Sequence, residues 1–266
     1  MSKNLIILCA GDHSLHNYWY KDFDLLINYY GEIKNRYKNQ CKYYFSIKGT
    51  KFNILHQLIS ENKEIFEKYD NFFIPDDDLY FSSKDLKLFF QIFDEHRLHL
   101  AQPAILGWWT SRNSVKVSGL KLRYTNWVEM MCPCFSKKAL ELCKETFNAD
   151  KSCWGIEFIW NKLLGFPKNK IAIIDEVHAI HTRPMMDGDN YKMNNISLLE
   201  CSKNWEKNKT DAKYTNFKCH KVIGTASKNI IEPNLEFGLS RKNKIWPKGN
   251  KFKSFVLCLR NRYKFI

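Results

Sequence analysis

The sequence predicts an α/β fold in which a largely parallel central sheet is flanked by helices. Three observations point there. Apolar runs of strand length, such as Leu5–Ala10 and Ile171–Ile174, are bounded by polar turns. Between such runs lie segments with helical spacing, above all Ile54, Leu55, Leu58, Ile59, Ile65 and Phe66. The two kinds alternate up to about residue 184, the pattern of strand–helix–strand units.

In chain order, 5–10 reads as a buried first strand running into Gly11-Asp12. Residues 22–30 are apolar without clear alternation, so strand and helix both stand. Residues 43–47 form a strand ending at Lys48-Gly49-Thr50-Lys51, and 52–69 a helix. A short strand over 71–74 runs into Pro75-Asp76-Asp77-Asp78. Ser82 and Ser83 cap a helix reaching about Arg97, with Asp85 early in its first turn, where the helix dipole favours a carboxylate. Residues 128–135 read as a buried strand. Ser136 caps a helix over 137–147, 156–164 is a further helix and 170–175 a further strand.

Of the 266 residues, 44% are hydrophobic and 15% aromatic, which is enough apolar surface to exclude global disorder. The formal charge of +14 draws the chain to phosphate, whether in nucleic acid, anionic lipid or a nucleotide diphosphate. The plain alternative is solubility. From Met186 onward, 17 Lys and Arg face 7 Asp and Glu, so +10 of the +14 lies there, and periodicity weakens. The expected division is 1–184 and a basic extension, 185–266. Within the extension, 251–266 alternates basic residues with Phe255, Val256, Leu257, Leu259, Tyr263 and Phe265, an amphipathic surface element. The nine cysteines lack zinc-finger spacing and read as reduced, buried thiols in a cytoplasmic protein. The first apolar run is too short for a signal peptide, and no run has the length of a membrane span.

Four segments carry candidate chemistry. Phe72-Phe73-Ile74 delivers Asp76, Asp77 and Asp78 to the carboxyl end of a strand, the edge where open α/β sheets bind ligands. Three adjacent anions invite a cation, and hard oxygen donors suit Mg²⁺ or Mn²⁺. If the strand persists, 76 and 78 face one way and 77 the other. The alternative is a solvated acidic loop. After the strand over 170–175, His181 offers an imidazole, with His178 competing for that role. In Trp154-Gly155-Ile156-Glu157, Gly155 permits a tight turn or close approach to a ligand, and Glu157 falls in the first turn of a helix. That carboxylate suits either general-base work or interaction with the helix dipole. Lys48 and Lys51 around Gly49 suit a phosphate, or form a basic turn without the spacing of a P-loop.

Taken in order, these segments resemble a bacterial and plant family of glycosyltransferase-like proteins, domain-of-unknown-function family 707. The resemblance covers roughly residues 3–185. It rests on Asp12-His13-Ser14-Leu15-His16 with Trp19, Phe23-Asp24-Leu25 with Tyr29-Tyr30-Gly31, Lys48-Gly49-Thr50-Lys51-Phe52, and Tyr69-Asp70 with Pro75-Asp76-Asp77-Asp78. It continues through Ala101-Gln102-Pro103, Leu122–Glu129, Met131-Cys132-Pro133, Phe135-Ser136, Trp154-Gly155-Ile156-Glu157, Ile173-Ile174-Asp175 and His181-Thr182-Arg183-Pro184. Membership would imply a GT-A, Rossmann-like nucleotide-sugar-binding domain over 1–184 with a DxD metal site.

By that likeness Asp76 faces the ribose or donor sugar and shares the metal site, Asp78 binds the metal directly and His181 completes the site. The same likeness puts Glu157 in the role of catalytic base. Asp12, Lys48, Lys51, Asp77 and Arg183 go to the donor and its phosphates. Trp127, Glu129, Trp154 and Gly155 go to the sugar or acceptor, with Trp108 and Trp109 as further stacking candidates. The implied activity is metal-dependent, inverting transfer from a nucleotide-diphosphate sugar, a UDP-sugar foremost, to a glycan or lipid-linked acceptor in surface polysaccharide synthesis. Mn²⁺ or Mg²⁺ is the implied cofactor. The basic extension would face an anionic inner leaflet, making the protein cytoplasmic and peripheral. Two rivals stand beside this reading. A metal-dependent phosphoesterase or nuclease would want more His and Asp at two-metal spacing. A basic nucleic-acid-binding protein would want a recognised motif, which the sequence lacks.

Overall fold

The apolar runs become strands buried on both faces, because helices cover the sheet from either side. The structure is a computed structural model and describes residues 3–19, 22–107, 110–184, 189–225 and 230–231. Its strands are β1 (Asn4–Ala10), β2 (Asp24–Tyr29), β3 (Tyr43–Phe45), β4 (Asn71–Phe73), β5 (Leu79–Tyr80), β6 (Leu100–Gly107), β7 (Leu120–Thr125), β8 (Cys134–Ser136), β9 (Ile171–His181), β10 (Cys219–Gly224) and β11 (Ile230–Ile231). Its α-helices are α1 (Lys51–Glu61), α2 (Lys63–Phe66), α3 (Ser83–Glu95), α4 (Lys137–Cys143), α5 (Glu157–Leu163), α6 (Asp189–Met193) and α7 (Leu198–Asp211).

One sheet has the order β11-β10-β7-β9-β6-β8-β4-β1-β2-β3, with β5 paired to β9. Strands β3, β2, β1 and β4 are parallel, as are β6 and β9. Strand β8 runs antiparallel between β4 and β6, so β1 to β4, β6 and β9 share one direction. The expected α/β class, with a central sheet flanked by helices, holds. Beyond β9, β7, β10 and β11 pair antiparallel.

Side-chain alternation divides the core between the two faces. Ile6, Leu8 and Phe73 pack with Leu86, Phe89, Phe90 and Phe93 of α3. Leu5, Ile7 and Phe72 pack with Ile54, Leu55 and Leu58 of α1 and with Phe147 and Trp160. The caps read from sequence are present. Ser82 accepts from the Asp85 amide at 3.0 Å, and Ser136 from the Ala139 amide at 3.3 Å.

Several elements differ from expectation. Residues 22–30 resolve to strand β2. The strand expected over 128–135 shrinks to Cys134–Ser136. Pro133 has no amide to give a neighbour, and the carbonyls of Met130 and Met131 accept from Lys51 Nζ at 2.8 and 3.0 Å instead. Strand β9 continues past residue 175 to His181. After residue 184 the chain does not leave the sheet. Strand β10 joins β7, and α7 packs against α5. The amphipathic element expected over 251–266 lies outside the described residues. Among the described residues, no helix is long and apolar enough to cross a membrane.

Candidate active site

A cleft of about 520 Å³ opens where β4 ends. It is lined by Asp76, Asp77, Asp78, Glu129, Glu157, Lys51, His181 and Arg183, with Trp127 and Trp154. The acidic trio, the late imidazole and the helix carboxylate, far apart in sequence, thus share one cavity.

The acidic trio and the imidazole are positioned by the sheet. Strand β4 stops at Phe73, so strand alternation does not govern the three aspartates and Asp77 is not turned away from the cleft. Asp77 Oδ2 accepts from the Gly11 amide at the end of β1 at 2.7 Å, and its Oδ1 lies 3.5 Å from Arg183. Burial pushes its carboxyl up to about 6, against the lowering effect of the Gly11 amide. Asp76 pairs with Lys51 at 2.6 Å. Asp78 is fixed through its backbone, whose carbonyl accepts from the Thr182 hydroxyl at 2.7 Å. Leu79 of β5 sits opposite His181 of β9, which brings His181 Nε2 to 3.3 Å from Asp78 Oδ2. His181 also lies opposite Gly107 (φ +109°) of β6, where any Cβ would run into the His181 carbonyl.

Among the described residues, no group of three or more His, Cys, Asp or Glu is arranged to hold a metal. Of the expected Asp76, Asp78 and His181, the last two stand together, while Asp76 Oδ1 pairs with Lys51. Asp78 Oδ1 is buried with no hydrogen-bond partner. A spare carboxylate oxygen beside an imidazole fits a divalent cation that draws its other ligands from phosphate and water.

Glu157 opens α5 and is 5% exposed. Its Oε2 is buried without a partner. Burial, helped by the nearby charge of Glu129, pushes its carboxyl up to about 8, against backbone amides of its own helix turn. A carboxyl poised near neutrality is suited to proton transfer. Glu129 is raised by burial as well, and its Oε2 accepts from Ser114 at 2.6 Å.

Other expected residues are placed differently. Lys51 spreads its donors over Asp76 and the carbonyls of Ile74, Met130 and Met131, so its ammonium is already saturated and orients Asp76. Lys48 lies outside the cleft, donating to the Tyr30 carbonyl at 2.6 Å and pairing with Glu32 at 2.7 Å. Asp12 is also outside, accepting from the Tyr29 hydroxyl and facing Arg36 at 4.0 Å. Arg183 bonds the His13 carbonyl at 2.5 Å. Gly155 (φ +85°) lines the cleft, yet its missing Cβ is required by the protein itself. A Cβ there would stand 2.9 Å from Trp205 Cα of α7. The Trp154 indole N–H reaches the Tyr191 hydroxyl at 3.3 Å. Trp108 and Trp109 lie outside the described residues.

Sequence reasoning missed the part of the wall built after residue 184: Tyr191, Trp205, Lys209, Tyr214 and Phe217. One signal was present. Ser197-Leu198-Leu199-Glu200 has the spacing of a capping box, and Ser197 accepts from the Glu200 amide at 3.2 Å to start α7.

No family model matches the chain, and no curated protein does. Solved structures do match in part. TarS 1–349 from S. aureus aligns at 11% identity with a TM-score of 0.47, over 68% of this chain and 60% of that one. The same region in complex with UDP aligns at 12% identity and 0.43, over 69% and 61%. A further S. aureus TarS structure aligns at 10% identity and 0.47, over 78% and 43%. The chain thus spans less than two thirds of each structure to which it is similar.

Proposed function

We propose that the protein transfers a sugar from a nucleotide-diphosphate sugar to an acceptor hydroxyl, on a GT-A-type site with a divalent cation. The observation that carries this reading is a single cleft at the carboxyl edge of the sheet. It gathers Asp76, Asp77, Asp78, His181 and the proton-accepting candidate Glu157. Asp78 and His181 would hold the cation, which when bound supplies charge neutralisation to a departing diphosphate. Arg183 adds positive charge at the same end, next to Asp77. Glu157 accepts the proton of the attacking hydroxyl, and attack opposite the leaving group inverts the anomeric configuration. Lys51 keeps Asp76 in place.

The experiment is nucleotide release from a panel of UDP-, GDP- and TDP-sugars, with Mn²⁺ or with a chelator. Metal-dependent release of one diphosphate is the expected result. Hydrolysis of a plain phosphodiester with no release from any sugar nucleotide would refute the reading. In the same proposal the protein is cytoplasmic and peripheral, its basic residues after 185 facing anionic lipid. Flotation of the full chain with phosphatidylglycerol vesicles but not phosphatidylcholine vesicles is the expected outcome, and equal behaviour with both removes the membrane role.

A further inference from the structure

We infer that the cleft's outer wall is the acceptor subsite, and that its occupant is a sugar ring rather than a lipid chain. This inference rests on the transfer reading of the cleft. The wall is aromatic and is contributed by two parts of the chain. Trp127 follows β7 and Phe158 belongs to α5, while Trp205, Tyr214 and Phe217 come from α7 and the segment after it. Phe158 meets Trp205 at 5.1 Å and Tyr214 at 4.6 Å between ring centroids, and Phe217 meets Trp127 at 6.2 Å. Lys209 Nζ stands 4.6 Å from the centre of the Trp205 ring, a cation on one face of the indole.

The wall is fixed to the catalytic end. Asn208 donates to the Trp154 carbonyl at 2.8 Å, and Asn204 to Asp150 at 2.9 Å and Ser152 at 3.0 Å. Trp205 Cα packs directly on Gly155, two residues before Glu157. The charge of Glu157 acts on the Tyr214 hydroxyl, whose proton is held mainly by burial.

Two polar atoms among the residues lining this cleft decide the occupant. Trp127 Nε1 and Glu157 Oε2 are buried and have no hydrogen-bond partner. Trp127 is 6% exposed and Glu157 5%. Unmade hydrogen bonds at buried groups are costly. An alkyl chain would cover the rings and leave both atoms unmatched. A sugar ring offers apolar C–H faces to the aromatics and hydroxyls to the indole N–H and the carboxyl. Because the anchoring hydroxyl and the reacting hydroxyl belong to one ring, the wall also sets which hydroxyl meets Glu157.

The test is saturation-transfer NMR on the full chain with UDP and diamagnetic Mg²⁺ present. Probes are methyl glucoside, methyl galactoside, methyl N-acetylglucosaminide and, as the lipid arm, decyl phosphate. At least one glycoside should take up saturation on its ring protons. Trp205→Ala should cut it at least fivefold. Trp127→Phe, which keeps a ring and removes only the N–H, should weaken the apparent Kd about threefold or more. Unchanged melting and UDP binding in both variants show that the fold and donor end persist. Saturation of decyl phosphate with none for any glycoside overturns the inference, as does glycoside saturation equal in wild type and both variants. Failure of UDP to bind wild type, with glycoside binding intact, counts against the transfer reading alone.

Discussion

Asp78 and His181 meet with 3.3 Å between carboxylate oxygen and ring nitrogen because β5 pairs antiparallel with β9, placing Leu79 opposite His181. Two residues from separate motifs thus become one donor pair at the carboxyl edge of the sheet. The pair has an uncommitted oxygen, Asp78 Oδ1.

Under the proposed transfer reading, that oxygen makes Asp78 the position where metal response is tested first. Asp78→Ala should lower kcat at least a hundredfold and remove the dependence on Mn²⁺ concentration. The check is the rate of diphosphate release across a Mn²⁺ titration. A variant retaining metal-dependent turnover would reassign the donor pair.

Glu157 predicts a pH effect on stability with a definite sign. Its folded carboxyl is raised to about 8 from the ordinary 4.5. Below 4.5 both states are protonated and the group contributes nothing. Between 4.5 and 8 the unfolded chain ionises first, so folding loses stability as pH rises, by about 1.4 kcal/mol per unit at most. Above 8 the penalty stays constant. Glu157→Gln should therefore melt higher than wild type at pH 8 and little differently at pH 4.5, while turnover falls at least a hundredfold. Equal melting at pH 8 would contradict the burial argument.

Gly155 should tolerate no side chain. Its φ of +85° and the 2.9 Å to Trp205 Cα predict that Gly155→Ala costs about 1–3 kcal/mol and loosens α7 from α5. Urea unfolding measures the first effect. Faster amide exchange over 198–211 reads the second.

The buried pair Arg123–Asp175 should behave as a unit. Arg123 donates to Asp175 at 2.8 and 3.0 Å and to the carbonyls of Asn113 and Val115, and Asp175 also accepts from the Val117 amide. This clamps the loop carrying Ser114, which holds Glu129 in the cleft. Asp175→Ala leaves a buried guanidinium uncompensated and should cost about 3–5 kcal/mol. Chemical denaturation checks this, and a loss below 1 kcal/mol would mean the loop stands without the clamp.

Strand β1 and the start of β9 were legible because they are buried on both faces, so Leu5–Ala10 and Ile171–Ile174 are unbroken apolar runs. The acidic trio was legible because it follows β4. Strand β7, with Lys121 and Arg123 among its residues, was not, since Arg123 is buried only by virtue of Asp175 fifty-two residues away. Helix α7 was missed because its surface is mostly polar and it buries little beyond Cys201 and Asn208, although Ser197 marks its start. Lys48 and Lys51 looked alike in sequence. Only tertiary contacts separate them, one held by Tyr30 and Glu32 outside the cleft and the other by Asp76 within it.

The most direct measurement is the melting temperature of wild type and Asp78→Ala with UDP, each with Mn²⁺ and with a chelator. A ligand at a hundred times its Kd stabilises by about 2.7 kcal/mol, a readily measured shift. The account predicts that UDP raises the melting temperature of wild type only with Mn²⁺, and that of Asp78→Ala in neither condition. An equal shift in the variant, or in wild type without any divalent ion, would contradict it.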